Sequence, residues 1–474
     1  MAGTGSTPAL PPLHFGARRT VRLPALRLIL GAVGLAGLVV GVTFLVLVAS
    51  ARPSVLVPPA HAGFPQWMAG PLHGVLSGFD PGRQALKWVF SLTLGGLYLA
   101  YLLALAGVGS LRARWLVGAI VAVHLVLLLS PPLSLTDVFN YIDYARMGVV
   151  HHLNPYVDVP FSGPHTDPAY AYSNWHHLLS PYGPLFTLIT YALVPLGVPA
   201  SFWTLKLLLV VASLGTLAIV WRCARALGQD PRLPVAIVGL NPLVLVWGLG
   251  GDHVDALMVL ALTGALLAML ARREFVGGML LATSLALKAS AAVAIPVLLA
   301  GAPRKVRALA GFVGAGVVLA AASYAAFGAH IPDVAGQSRF VASMSIPNLV
   351  GLALGQGGET GTLRTILGGA LGAVVVAASI QAWRGRAVTT AAGVAVLASL
   401  VALAWVLPWY VLLLLPFAAL SRSRMLRGAA LVMGVWLMLS WMPLRPQMLH
   451  SLGLHLSATP LGREQLQMRH RLLR

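Results

Sequence analysis

The sequence predicts an all-α, polytopic membrane protein, and three observations carry that prediction. Hydrophobic residues make up 58% of the 474 positions and charged residues only 9%, with a mean hydropathy of +0.84, far outside the composition of a water-soluble domain. Several apolar runs reach the roughly 20 residues that a helix needs to cross about 30 Å of hydrocarbon. Those runs lack the two-residue alternation of a membrane β-barrel, so the spans are helices, which satisfy their own backbone groups in lipid.

The spans follow from where the basic residues fall. Residues 1–27 form a cytoplasmic tail ending in Arg18, Arg19, Arg22 and Arg27. The run 28–50 is longer than the 7–15 apolar residues of a signal peptide, so it is read as a retained helix despite Ala49-Ser50-Ala51. Residues 28–114 make an N-terminal transmembrane hairpin, with 51–86 outside and 88–108 returning to Arg112 and Arg114. The main membrane module is 115–443. Its first span, 115–132, leads out to a large loop, 133–202. Within that loop 184–197 is expected to lie on the outer surface, because a further crossing there would strand Arg222 and Arg225 outside; 203–221 is the return span.

Next, 235–249 runs out, Gly250–Asp255 forms a polar outer hairpin, and 256–271 runs in to Arg272 and Arg273. The run 276–300 holds Lys288 and Pro296 and is expected to be a broken pair of half-helices that brings Arg304, Lys305 and Arg307 back to the cytoplasm. Then 308–327 goes out, 365–382 in, 388–406 out, 410–420 in and 428–443 out, leaving 444–474 as a basic tail. The count is 12 or 13 spans, with no internal repeat.

The formal charge of +20 comes without any nucleic-acid-binding motif, and its basic residues sit in short clusters between apolar runs. They read as cytoplasmic anchors that face membrane lipid, which excludes nucleic acid as a partner. Arginine far outnumbers lysine, found only at Lys87, Lys206, Lys288 and Lys305, and Ala and Gly abound; this fits a high-GC bacterium and hence a bacterial plasma membrane. Cys223 is the single cysteine, so there is no intrachain disulfide and no cysteine-based metal site.

Chemistry concentrates in 134–184, which holds six of the 11 tyrosines and five of the 14 histidines, with Asp137, Asp143, Arg146, Asp158 and Asp167. The predicted topology leaves only Asp230 and Glu274 of the 12 carboxylates in the cytoplasm, so any carboxylate base works extracytoplasmically. Asp137 stands at the outer mouth of a span. On a helix over 137–148 it shares a face with Asn140, Tyr141, Tyr144 and Gly148, while Asp143 and Arg146 lie elsewhere and can pair. A carboxylate at the bilayer boundary beside two tyrosines suits a general base for a sugar hydroxyl. The alternative is that Thr136-Asp137 only caps the next helix.

Asp137-Val138-Phe139-Asn140-Tyr141, Tyr144-Ala145-Arg146, Asn154-Pro155-Tyr156 and Ser180-Pro181-Tyr182-Gly183-Pro184-Leu185 together resemble the first outer loop of the GT-C glycosyltransferase superfamily. The likeness is greatest to the actinobacterial polyprenol-phosphomannose-dependent α-1,6-mannosyltransferases that build lipomannan-type polymers. Asn241-Pro242-Leu243 and Gly250-Gly251-Asp252-His253-Val254-Asp255-Ala256-Leu257-Met258 resemble that family's later pattern, with Val254 where the family usually carries Asn. Leu287-Lys288-Ala289 and Pro408-Trp409-Tyr410 match two further motifs. The resemblance spans roughly 115–425.

It implies transfer of a sugar, mannose, from a polyprenyl-phosphate donor to a hydroxyl of a cell-envelope glycan or glycolipid on the outer face, with inversion and with Asp137 as the base. Expected substrate-binding residues are Asn140, Tyr141, Tyr144, Arg146, Asn154, Tyr156, Tyr182, His253, Asp255, Lys288, Arg339 and Tyr410. Of these, Arg339, Lys288 and Arg146 are candidates to meet the departing phosphate, Arg339 first. No cofactor is required by this scheme. A divalent cation is a secondary reading at His253 and Asp255, which fall short of a metal site; His151-His152 and His176-His177 read as loop histidines that hydrogen-bond sugar or backbone. The absence of a Gly-rich phosphate loop after a strand disfavours a nucleotide-sugar enzyme. A multi-pass transporter or lipid-linked sugar flippase is the competing class, against which stands the gathering of polar residues in one outer loop rather than at the midplane between repeats.

Overall fold

The computed structural model describes residues 22–57, 64–76, 78–134 and 137–472. Arg18, Arg19, Leu135, Thr136 and Arg474 lie outside the described residues, and with them the Thr136 half of the expected cap. Among the described residues every regular element is helical.

Small residues decide how closely the first helices approach. α1 (Arg22–Ala51) and α2 (Arg83–Gly107) pack antiparallel, with Gly34 against the backbone of Ala104 and Gly107 against that of Arg27 and Gly31, where a Cβ has no room. In lipid such backbone approach replaces the hydrophobic drive that water would supply. α1 already begins at Arg22, so Arg22 and Arg27 belong to the helix and the expected tail is shorter. After α3 (Ala113–Leu128) come α4 (Asp137–Val149) and α5 (Pro184–Leu193). With 10 residues, about 15 Å long, α5 is too short to cross. The return span α6 (Gly197–Ala226) starts earlier than expected, where Gly197 takes a φ of 77° and turns the chain out of a short 3-10 segment.

α7 (Arg232–Gly239) continues after a 47° bend into a π-helical turn, Leu243–Leu249. Pro242 and the Asn241 side chain, whose Oδ1 accepts the Leu243 N–H at 2.9 Å, make the break. Next are α8 (Asp255–Leu270), α9 (Glu274–Leu287), α10 (Ile295–Gly301) and α11 (Lys305–Phe327). The N-terminal turns of α9 and α11 touch through Gly278 against Ala308 and Gly311 against Phe275. At the far end of α9 the Leu287 carbonyl accepts from Gly183 of the large loop at 3.2 Å. The chain therefore turns back at Lys288, and α10 returns to the end that holds Arg272, where Arg272, Gly301, Pro303 and Val388 line a shared small cavity. This is the broken pair expected from the basic cluster.

Apart from two four-residue helices, Gln66–Ala69 and Val334–Gln337, the remaining α-helices are α12 (Ile346–Ala353), α13 (Gly361–Trp383), α14 (Val388–Ala402), α15 (Val411–Leu420), α16 (Arg424–Trp441), α17 (Arg445–Ser451) and α18 (Pro460–Leu472). Among the described residues five helices are long and apolar enough to cross a membrane, seven if each of two bent pairs is one span, and five shorter apolar helices complete the bundle. The expected 12 or 13 spans treat the shorter helices as full crossings. α15 shows why they are short: every one of its residues is buried, so protein and not lipid surrounds it. α11 and α13 are the opposite case, only 11% buried over their most apolar stretch, as lipid-facing helices would be.

Two expectations are corrected here. Gly250–Asp255 is no exposed hairpin but is buried throughout, because its charges are paired inside the bundle. Over its described part, 444–472, the basic tail is not free: α18 docks back onto the loops, with Gln465 accepting the Val341 N–H at 2.9 Å and donating to the Arg339 carbonyl at 3.1 Å.

Candidate active site

α4 presents Asp137 from its first turn, where the helix dipole favours a negative charge. The side chain is nearly buried, with the residue 6% exposed. The rest of α4 is clamped by the large loop. Asn140 and Asn174 bond reciprocally, Nδ2 to Oδ1 at 3.2 Å and backbone N–H to Oδ1 at 3.0 Å. The Tyr144 hydroxyl donates to the Leu178 carbonyl at 2.7 Å, and the Tyr141 hydroxyl accepts the Val254 N–H at 3.4 Å. Burial first, then the neighbouring Asp137 and Asp255 carboxylates, keeps Tyr141 a neutral phenol.

The expected Asp143–Arg146 pair does not form. Arg146 Nε bonds both oxygens of Asp167, at 2.8 and 3.0 Å, and His151 Nε2 lies 2.8 Å from the same carboxylate. Burial alone would raise Asp167, but the bonds from Arg146, the Ala169 N–H and His151 together outweigh it and hold the carboxyl below its usual range. Asp143 instead accepts from the Ser173 hydroxyl. Because α4 is enclosed on nearly all sides, loop residues take the places that an i, i+3 surface pair would fill.

Burial pushes Asp143 up from 3.8 to about 6. The folded protein then holds this proton more tightly than the unfolded chain, so the associated stability is full below 3.8 and is lost as pH rises through about 6. Asp143→Asn is expected to flatten that slope and to leave the variant the more stable form at neutral pH. Melting temperatures of both proteins between about pH 4 and about pH 7 check it, and parallel curves would exclude the effect.

The second wall is the Gly250–Asp255 turn. A Cβ on Gly250 or Gly251 would collide with the Val246 or Trp247 carbonyl, which requires glycine at both. Asp252 follows with a φ of 55°, a conformation seldom taken by residues other than glycine, asparagine and aspartate. Its carboxylate meets Lys206 of α6 at 3.1 Å, with side-chain exposures of 1% and 0%. His253 stacks flat on Trp409, ring centroids 3.5 Å apart, and turns Nδ1 to within 3.4 Å of Asp137 Oδ2. Asp255 pairs with Lys288 at 2.6 Å, and that ammonium sits 5.3 Å over the Tyr410 ring. The lysine at the break between α9 and α10 thus reaches the carboxylate that opens α8.

These parts meet in one cavity of about 580 Å³. Asp137, Tyr141, Tyr182, Asp255, Lys288 and Tyr410 line it, and His253 lies directly behind Asp137. Other expected residues serve around it. Asn140 holds the cavity-lining Asn174; Tyr144 and Tyr156 tie the loop, the latter through the Tyr182 carbonyl and Thr187; Asn154 bonds the Phe327 carbonyl that ends α11. Arg146 is spent on Asp167. Arg339 is exposed and outside the cavity: the short helix Val334–Gln337 and the docked α18 direct its neighbours Gln337, Ser338 and Phe340 inward instead. His176 stacks on Tyr170 at 3.9 Å rather than grouping with other ligands, and among the described residues no three metal-ligating side chains come together.

Several cavity residues escaped the sequence reading as site residues: Asn174, Gln337, Arg364, Trp405 and Arg469. Only the last left a signal, since Gln465 and Arg469 sit one turn apart on the helical pattern of 460–472.

A family model described as Alpha-(1->6)-mannopyranosyltransferase, N-terminal domain, matches residues 32–303. The chain belongs to this mannosyltransferase family. It is 28% identical over 398 residues to the Alpha-(1->6)-mannopyranosyltransferase A of Mycobacterium tuberculosis, covering 73% of this chain and 76% of that one. It is 29% identical over 177 residues to the protein of the same description in Corynebacterium glutamicum, covering 36% and 35%. No solved structure matches the chain. As a membrane mannosyltransferase it needs a sugar donor and a glycan acceptor. The family match takes in Asp137, His253, Asp255 and Lys288, and ends before Arg364, Trp405 and Arg469.

Proposed function

We propose that this mannosyltransferase moves a mannosyl residue from a polyprenyl-phosphate donor to a hydroxyl of a cell-envelope glycan or glycolipid, on the extracytoplasmic face of the bacterial plasma membrane and in α-1,6 linkage. The observation that carries the reading is the cavity around Asp137, whose lining is of two kinds. One part is polar and aromatic, with Asn174, Trp175, Tyr182, Gln337 and Trp405, surfaces that hydrogen-bond and stack on sugar rings. The other is apolar, walled by Gly368 and Leu371 of the lipid-facing α13 and by Leu400 and Leu403 at the end of α14. A donor that carries an isoprenoid tail on its sugar suits such a division.

In this scheme Asp137 accepts the proton of the acceptor hydroxyl as that oxygen attacks the anomeric carbon. The bond from carbon to the phosphate oxygen breaks, its electron pair leaves on polyprenyl phosphate, and the configuration inverts. His253, fixed by Trp409, orients the carboxylate. Lys288 supplies positive charge at the cavity wall while neutralising Asp255. Of the residues first expected at the phosphate, Lys288 keeps a place in the scheme; Arg146 and Arg339 point elsewhere.

The test is purified protein in nanodiscs given polyprenyl-phosphate mannose and an oligomannoside. Nuclear magnetic resonance of the product reads linkage and anomeric configuration. Retention of configuration would overturn the base role, and movement of lipid-linked sugar without a new bond would favour a flippase. Sidedness has its own test. Cys223 is buried, so single cysteines at exposed Val157 and exposed Arg386 give clean labels in intact cells. Labelling of position 157 by a membrane-impermeant maleimide, with 386 protected, is expected; the reverse pattern would exclude an outer site.

A further inference from the structure

Two arginines on the cavity wall, Arg364 and Arg469, have no part in that scheme. Arg364 opens α13 and pairs with Glu359 at 2.7 Å. Gly368 and Leu371 follow it at i+4 and i+7 and line the same cavity, so one helix face runs from a cation into an apolar groove over about 10 Å.

Arg469 comes from α18, and its guanidinium lies 5.1 Å over the Trp405 ring. Among the described residues it has no carboxylate partner: its Nη2 donates to the Val341 carbonyl at 3.5 Å, and its Nε is buried without an acceptor. Arg445 lies near enough to add like charge; its Nη1 donates to the Ser440 carbonyl at 2.6 Å, and its Nε is likewise buried and without an acceptor. The indole N–H of Trp405, another cavity residue, is a third buried donor with no partner. Burial, then Arg445, pulls Arg469 below its ordinary range. Neighbouring guanidiniums with spare donors are costly inside a protein unless an anion meets them, and their fork geometry matches phosphate oxygens.

We propose that Arg469 binds the phosphate group of the isoprenoid carrier, so that the C-terminal helix α18 completes the donor site. This rests on the polyprenyl-phosphate reading above, and it adds a segment beyond the family match. The docking of α18 through Gln465, and of its end through the Leu472 carbonyl, which accepts the His177 N–H at 3.3 Å, fixes Arg469 in place.

Binding to the full-length protein in phosphatidylcholine nanodiscs tests it, with polyprenyl phosphate, the matching polyprenol, phosphatidylglycerol and inorganic phosphate as probes. Wild type is expected to prefer polyprenyl phosphate over polyprenol. Arg469→Ala is expected to lose about 10- to 100-fold in affinity for the phosphate form, and nothing for polyprenol, as for removal of a charge-assisted contact. The donor KM rises correspondingly. Arg469→Lys, which retains the charge and guards against loss of fold, falls between. Unchanged affinity in both variants overturns the proposal, as does equal competition by phosphatidylglycerol or inorganic phosphate. Asp137→Asn should bind polyprenyl phosphate like wild type. If that variant still transfers sugar, the base assignment fails while the binding result stands by itself.

Discussion

Asp137→Asn is expected to insert and fold as the wild type does and to transfer sugar at least about 10²-fold more slowly, the lower end for loss of a general base. Asparagine keeps the shape of the side chain and is itself well placed at a helix start, so the turn that opens α4 survives. What it loses is the ability to accept a proton at the oxygen that faces His253, 3.4 Å away. The effect should appear in kcat, with donor affinity kept, because Asp137 meets the acceptor hydroxyl in this scheme rather than the carrier. Turnover near the wild-type value in a variant with an unchanged melting temperature would reject the assignment.

Lys206→Met should have the largest effect on stability. The pair with Asp252 is inside the bundle on both sides, and removing one partner of a buried ion pair costs about 3–5 kcal/mol because the other charge is left alone in a medium of low polarity. Here the stranded carboxylate also sits on a backbone with φ 55°, so relaxation would move His253 and with it the orientation of Asp137. The double variant Lys206→Met, Asp252→Asn should recover most of the stability, since asparagine tolerates the left-handed conformation and carries no charge. Thermal unfolding in detergent reads both. A single variant as stable as wild type would mean that the pair is not what holds the turn.

The motif residues that could be found by eye were those whose role is local. Asp137 announced itself as a carboxylate at the end of an apolar run, and Lys288 as a charge at membrane depth with a proline after it. Its partner Asp255 lies 33 residues earlier, and the approach of the two required α9 to end beside α8. Arg339 was attractive because it is a cation in a polar outer loop, yet a loop's sequence does not state which way its residues point. Arg469 belongs to what reads as a basic tail, and nothing in the sequence singles out Arg364. The place of Arg469 in the cavity depends on α18 folding back across more than 100 residues of chain to reach Val341.

The sequence by itself determined that this is a helical membrane protein and which loop holds the candidate base, because bilayer thickness and charge cost act on each segment separately. The tertiary structure decided which charges face the cavity, that the Gly250–Asp255 turn is buried, and that the C-terminal helix is part of the site. Those outcomes depend on pairings between distant segments, Lys206 with Asp252 and Gln465 with Val341, whose energies exist only once the bundle has packed.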